Sequence, residues 1–215
     1  RIPTDAEAVV IFSDTDMSDI NTPGHADIPA NSAHASLQDL ISKWNQIIRH
    51  EYTHTDPDIC ITLEPVDLPA ATMTDTSTHT VIDVLMTYPN GVRKMSKDIA
   101  GLVQTSLNLG ILSTIKPDDQ STNGMVSFKS SVRSSIGSEK DALLNSLKSL
   151  ATLAGGTLTV TGDYPAWEYR EDSPLRDLMV KIFKQQYGKE PVIQALHAGV
   201  ECGIFASKLP GLDCV

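Results

Sequence analysis

Gly188-Lys189-Glu190-Pro191-Val192-Ile193-Gln194-Ala195-Leu196-His197-Ala198-Gly199-Val200-Glu201-Cys202-Gly203-Ile204-Phe205 is the stretch that says most about this 215-residue chain. Residues 192–196 read as a short buried strand launched after Pro191. His197, Gly199, Glu201 and Cys202 then crowd a turn whose glycines let backbone approach a ligand closely. Open α/β sheets place their binding sites at the carboxyl ends of strands, so this turn is a candidate site. An ordinary strand-to-helix turn with a buried Cys202 fits the same spacing, and the residues alone leave both readings open.

Working outward, Ser173-Pro174 predicts a helix start, with Leu175, Leu178, Met179, Ile182 and Phe183 buried and Gly188 closing it. Residues 209–215 read as the beginning of a further strand. Upstream of Asp163 the pattern is α+β. Residues 6–12 read as a strand, residues 13–35 as a polar connection, and Ser36 opens a helix that ends near Asp56-Pro57. Its apolar stripe is Leu37, Leu40, Ile41, Trp44, Ile47 and Ile48. A strand follows over 59–66, a helix over 74–88, and strands over 102–115 and 125–134. Ser138 is expected to cap the next helix, which buries Leu143, Leu147, Leu150 and Ala154 and stops at Gly155-Gly156. A strand over 157–161 completes the series. Strand, helix, strand thus recurs over 6–66 and 125–161, which predicts two related α+β sandwich units.

Forty per cent hydrophobic residues suffice for one large or two small domains. No apolar run approaches the ~20 residues of a membrane span. A net charge of −10 argues against nucleic acid, whose phosphates need clustered Lys and Arg. Cys60, Cys202 and Cys214 lack metal-ligand spacing and suit a reducing, cytosolic compartment. Cys202 is expected to be buried, not nucleophilic.

Two constellations could carry chemistry. His50-Glu51-Tyr52-Thr53-His54 matches the H-E-x-x-H pattern of single-zinc proteases, in which two His on one helical face hold the metal and Glu activates water. The apolar stripe puts His50 on the polar side, and His54 falls where the helix frays, so a solvated helix end competes with that reading. Arg133 sits among Ser130, Ser131, Ser134 and Ser135 with no acid near it in sequence, and is expected to be exposed and unpaired. Its forked donors suit a carboxylate or a developing oxyanion. A strand-edge Arg facing water is the plain alternative.

His197-Ala198-Gly199-Val200-Glu201-Cys202-Gly203-Ile204-Phe205 closely resembles a segment of the bacterial aminoacyl-histidine dipeptidases (peptidase D, Xaa-His dipeptidases), dizinc exopeptidases akin to aminoacylase and carnosinase. Pro89-Asn90-Gly91-Val92, Thr105-Ser106-Leu107-Asn108-Leu109-Gly110, Val132-Arg133-Ser134-Ser135-Ile136-Gly137-Ser138 and Tyr164-Pro165-Ala166-Trp167 with Ser173-Pro174 resemble that family in the same order. Arg1-Ile2-Pro3 resembles the tail of its Asn-x-Ile-Pro signature; residues 13–75 carry little similarity.

The resemblance implies a lid domain of two ferredoxin-like α/β sandwich halves over residues 1–163, partial at its N-terminal side, followed by a piece of the α/β catalytic domain over 164–215. It implies a cytoplasmic enzyme that hydrolyses unsubstituted dipeptides of the Xaa-His type with two zinc ions. Arg133 would be catalytic and substrate-binding, with Gly199 and Glu201 also binding substrate. The family's His-x-Asp motif, bridging Asp and Glu base have no counterpart here. The chain is therefore expected to be a truncated fragment that binds no zinc and is inactive alone. The partners implied are a dipeptide and, since lid sheets often pair, a second copy in a homodimer. A non-catalytic lid or dimerisation module and the single-zinc protease using His50, Glu51 and His54 remain as alternatives.

Overall fold

The computed structural model describes residues 3–11, 30–116, 124–193 and 201–215, with side chains from residue 36 onward in the first helix. By internal contacts the chain divides into two units, Ala6–Thr72 and Met73–Val215 together with Arg1–Asp5.

In the first unit, α1 (Ala30–Glu51) begins six residues before the expected Ser36 and ends before the expected Asp56. None of its described stripe residues is fully buried, and Leu40 and Trp44 are exposed. Residues 59–66 are not a strand, contrary to expectation. The reason is visible at Ile61: its N–H donates to Asn45 Oδ1 (2.7 Å) and its carbonyl accepts from Asn45 Nδ2 (2.8 Å). A side-chain amide on a helix takes the two bonds a neighbouring strand would have supplied. Residues 6–11 are likewise not a strand, with Val9, Val10 and Ile11 exposed. β-branched composition favours extended backbone, but a strand exists only with a partner.

The second unit is built on a three-stranded antiparallel sheet in the order β1 (Gly91–Met95), β2 (Val103–Ile115), β3 (Met125–Ser134). Helix α2 (Asp75–Thr87) precedes it, capped by the Thr74 hydroxyl, which accepts from Ser77 N (3.2 Å). Its threonines are accommodated because Thr78, Thr80 and Thr87 each donate to the carbonyl four residues back. β1 is an addition that the sequence reading missed: five residues with two cations carry too little apolar alternation. β2 and β3 match expectation, and their register shift between Leu109 and Ile111 leaves Gly110 as the extra residue of a bulge.

Helix α3 (Gly137–Leu153) lies on this sheet, and the core is Leu107, Leu143 and Leu147 with Tyr88 and Val132 packed against it. Ser138 is not its cap. The N-cap is Ile136, without a side-chain bond, and Ser134 instead accepts from Ile136 N (3.1 Å). Gly155-Gly156 end the helix as expected. Gly155 at φ +72° donates to Thr152 O, and Gly156 N to Ala151 O, a Schellman closure. Residues 157–161 are not a strand; Leu158 and Val160 are exposed and have no ladder partner among the described residues. The second strand–helix–strand repeat is therefore absent as such among the described residues.

Helix α4 (Pro174–Tyr187) begins at Ser173 and ends at left-handed Gly188, as read from the sequence. Its expected buried stripe is not buried: Leu175, Leu178, Met179, Ile182 and Phe183 are all exposed. Val192 and Ile193 are neither strand nor buried, and the rest of that expected strand lies outside the described residues. Helix α5 (Glu201–Lys208) follows. Residues 209–215 turn back instead of forming a strand, since Asp213 is taken up in capping α4. No helix among the described residues is long and apolar enough to cross a membrane.

Candidate functional site

The two faces of β3 differ in kind. Phe128 stacks on Tyr88 at 5.8 Å, Ser130 meets the Tyr88 hydroxyl at 2.6 Å, Val132 joins the core and Ser134 bonds Thr105 Oγ1 at 2.9 Å. Successive residues alternate sides, so Lys129, Ser131 and Arg133 share the opposite face. Cross-strand partners lie on one face, and the register pairs Arg133 with Ser106 and Ser131 with Asn108. Ser106, Asn108, Ser131 and Arg133 thus form a polar patch away from the α3 core. Arg133 is exposed, and it is engaged by a neighbour instead of unpaired. The sequence reading named Arg133 alone. Ser106 and Asn108 were legible only as a two-residue polar period, and their place beside it needs the register.

Beneath the same end of the sheet sits Glu139, in the first turn of α3. Its carboxylate pairs with Lys94 of β1 and accepts from Thr105 Oγ1 (2.6 Å) and Gln104 Nε2 (2.7 Å) of β2. Thr105 and Gln104 are buried. Lys94 first, then Thr105 and Gln104, hold the Glu139 carboxyl at about 2, against the partial desolvation that opposes them. Thr105 passes the restraint to Ser134, the residue after Arg133. One acid therefore joins two strands and a helix beside the patch.

In the C-terminal part, Ser173 Oγ donates to Asp213 Oδ1 (2.7 Å) and Leu175 N to Asp213 Oδ2 (2.8 Å). These bonds, the backbone one first, pull the Asp213 carboxyl below its ordinary range. Arg170 Nη1 donates to Gly211 O (3.2 Å), tying the same two segments. Between them lies a shallow cavity of about 330 Å³ lined by Trp167, Arg170, Ser207, Gly211 and Cys214 among others.

No protein-family model matches the chain. Over 179 residues it is 32% identical to the cytosol non-specific dipeptidase of Escherichia coli (strain K12), a match covering 83% of this chain and 36% of that protein. The crystal structure of aminoacylhistidine dipeptidase from Vibrio alginolyticus superposes with a TM-score of 0.75 at 29% identity, over 85% of this chain and 36% of that one. The chain is a relative of these dipeptidases. It spans little more than a third of the length of either.

Of the residues singled out by likeness to the aminoacylhistidine dipeptidases, Arg133 lies in the polar patch. Glu201 is the exposed first residue of α5, where an acid also complements the helix dipole. Gly199 and His197 lie outside the described residues. Cys202 is half-buried, not fully buried as expected. The H-E-x-x-H segment does not make a zinc helix. α1 ends at Glu51, residues 52–55 form turns, and His54 is therefore not held on a helical face with His50. Among the described residues no three His, Cys, Asp or Glu side chains gather as metal ligands.

Proposed function

We propose that the intact protein is a cytoplasmic, metal-dependent dipeptidase that hydrolyses unsubstituted dipeptides of the Xaa-His type. The observation that carries this reading is likeness in sequence and backbone to two dipeptidases over 83% and 85% of the chain. In it, residues 1–163 belong to a lid domain with two ferredoxin-like halves and residues 164–215 to the catalytic domain. The sheet with α3, and the unpaired β-branched segments 6–11 and 157–161, are the material for those halves.

Arg133 binds the dipeptide carboxylate or the oxyanion through its forked donors, with Ser106, Asn108 and Ser131 offering further hydrogen bonds. Gly199 contributes backbone to the peptide terminus and Glu201 lines the same pocket. Two zinc ions, when bound, polarise the scissile carbonyl and lower the pKa of a bound water. The described residues do not form a site for them.

The test is kcat/KM of the full-length protein on an Xaa-His dipeptide. Arg133→Ala should lower it by about 10²–10³-fold, the scale of a lost oxyanion contact. Arg133→Lys should recover little, because an ammonium cannot reproduce the bidentate fork. Activity of Arg133→Ala within about threefold of the parent would overturn the assignment.

A further inference from the structure

Arg133 is the penultimate residue of β3, and the residue after it is held from the far side of the sheet. Ser134 is paired across the strands with Thr105, one rung beyond the Ser106–Arg133 pair. Thr105 has one hydroxyl proton and donates it to Glu139 Oε2 (2.6 Å). The 2.9 Å bond between Thr105 and Ser134 is therefore donated by the Ser134 hydroxyl. Ser134 Oγ in turn accepts from Ile136 N (3.1 Å), at the N-cap of α3. Each hydroxyl in this run donates once and accepts once, and the run ends on a carboxylate. Gln104 reinforces it twice. Its Nε2 donates to Glu139 Oε2 (2.7 Å), and its carbonyl accepts from Ser135 N (3.1 Å). Lys94 of β1 pairs with the same carboxylate. Gln104 and Thr105 are only 8% and 3% exposed, so water is a poor substitute for a lost partner there.

We propose that Thr105 and Glu139 are positioning residues for Arg133, the Glu139–Thr105–Ser134 run fixing the backbone from which the guanidinium reaches the dipeptide. This rests on the dipeptidase reading of Arg133 given above. Neither Thr105 nor Ser134 faces the polar patch, because alternation puts them on the side of Leu107 and Val132, which pack in the α3 core. They act through the chain: Ser134 is covalently next to Arg133, and Thr105 is next to Ser106, its cross-strand partner. Both ends of the Ser106–Arg133 rung are thus anchored one residue away, on a helix that does not itself touch substrate. A displaced strand end moves the root of the Arg133 side chain, and a misplacement of about 1 Å can cost ~10²-fold in rate. A long side chain absorbs part of that movement, so the expected loss is smaller than for removing Arg133.

Thr105→Val keeps the side chain's shape and removes its hydroxyl, whereas Thr105→Ser keeps the hydroxyl. Both are made in the full-length protein, with and without Arg133→Ala. Cleavage of an Xaa-His dipeptide is measured per folded protein, the folded fraction being read by circular dichroism. Thr105→Val should lower kcat/KM about tenfold, and Thr105→Ser should bring it back to within about threefold of the parent. In the Arg133→Ala background Thr105→Val should cost less than about twofold, because the group it positions is gone. A merely structural Thr105 would give the same loss in both backgrounds, and that result would overturn the proposal. The dipeptidase reading fails separately, if the parent does not cleave the dipeptide or Arg133→Ala leaves cleavage intact. In that case ¹⁵N relaxation of Arg133, at its amide and its Nε–Hε, decides the matter in the 215-residue chain without substrate. Thr105→Val should lower both order parameters and Thr105→Ser should not. Parent-like order at Arg133 in Thr105→Val would overturn the proposal.

Discussion

Replacing Glu139 with Gln keeps the shape and hydrogen-bonding oxygen of the side chain but removes the charge that faces Lys94. In the folded chain the Glu139 carboxyl is lowered from 4.5 to about 2. A shift of that size corresponds to about 3 kcal/mol at ~1.4 kcal/mol per pH unit. Lys94 is 49% exposed and Glu139 21%, so solvent screening reduces the expected contribution to about 1–2 kcal/mol. The carboxyl is depressed in the fold, so its stabilisation is fully present above the unfolded value of 4.5 and is lost as pH falls towards about 2. Urea unfolding of parent and Glu139→Gln, followed by the circular dichroism of the sheet-bearing unit, should differ by about 1–2 kcal/mol at neutral pH. The gap should close as pH is lowered. A carboxyl-carbon NMR titration gives the site directly, with a midpoint at about 2. A midpoint in the ordinary glutamate range, or an unfolding gap that ignores pH, would refute the network as described.

Asp213→Asn should speed hydrogen exchange at the first amides of α4, beginning with Leu175, because the charged acceptor is lost. In the parent the same amides should lose protection as pH falls below the ordinary carboxylate range, since the Asp213 carboxyl is depressed. Unchanged exchange in the variant would show that the clamp does not hold the helix start. Leu107, 1% exposed, is the most buried of the core residues described, so Leu107→Ala should cost about 2–5 kcal/mol and unfold much of the sheet unit at room temperature. A loss below about 1 kcal/mol by urea unfolding would place the core elsewhere.

Local chemistry is what the amino-acid sequence decided unaided. Pro174 after Ser173, and Gly155-Gly156 and Gly188 as helix stops, each depend on neighbours within a few residues. Arg133 and Glu201 were candidates through the resemblance of the ordered motifs to dipeptidases, and the chain is similar in sequence and backbone to two of them. Partners brought from a distance decided the rest. Residues 59–66 carry a strand composition, yet Ile61 is bonded by Asn45, sixteen positions away, and no propensity encodes that. The stripe of α4 has helical spacing, but whether such a stripe is buried depends on what lies against it, and here it is exposed. The same holds at the candidate site. Ser106 and Asn108 reach Arg133 only through the β2–β3 register. Glu139 came to bridge Lys94, Gln104 and Thr105 only when α3 lay on the sheet, because hydrogen bonds between distant residues exist only where the tertiary fold brings donor and acceptor within reach.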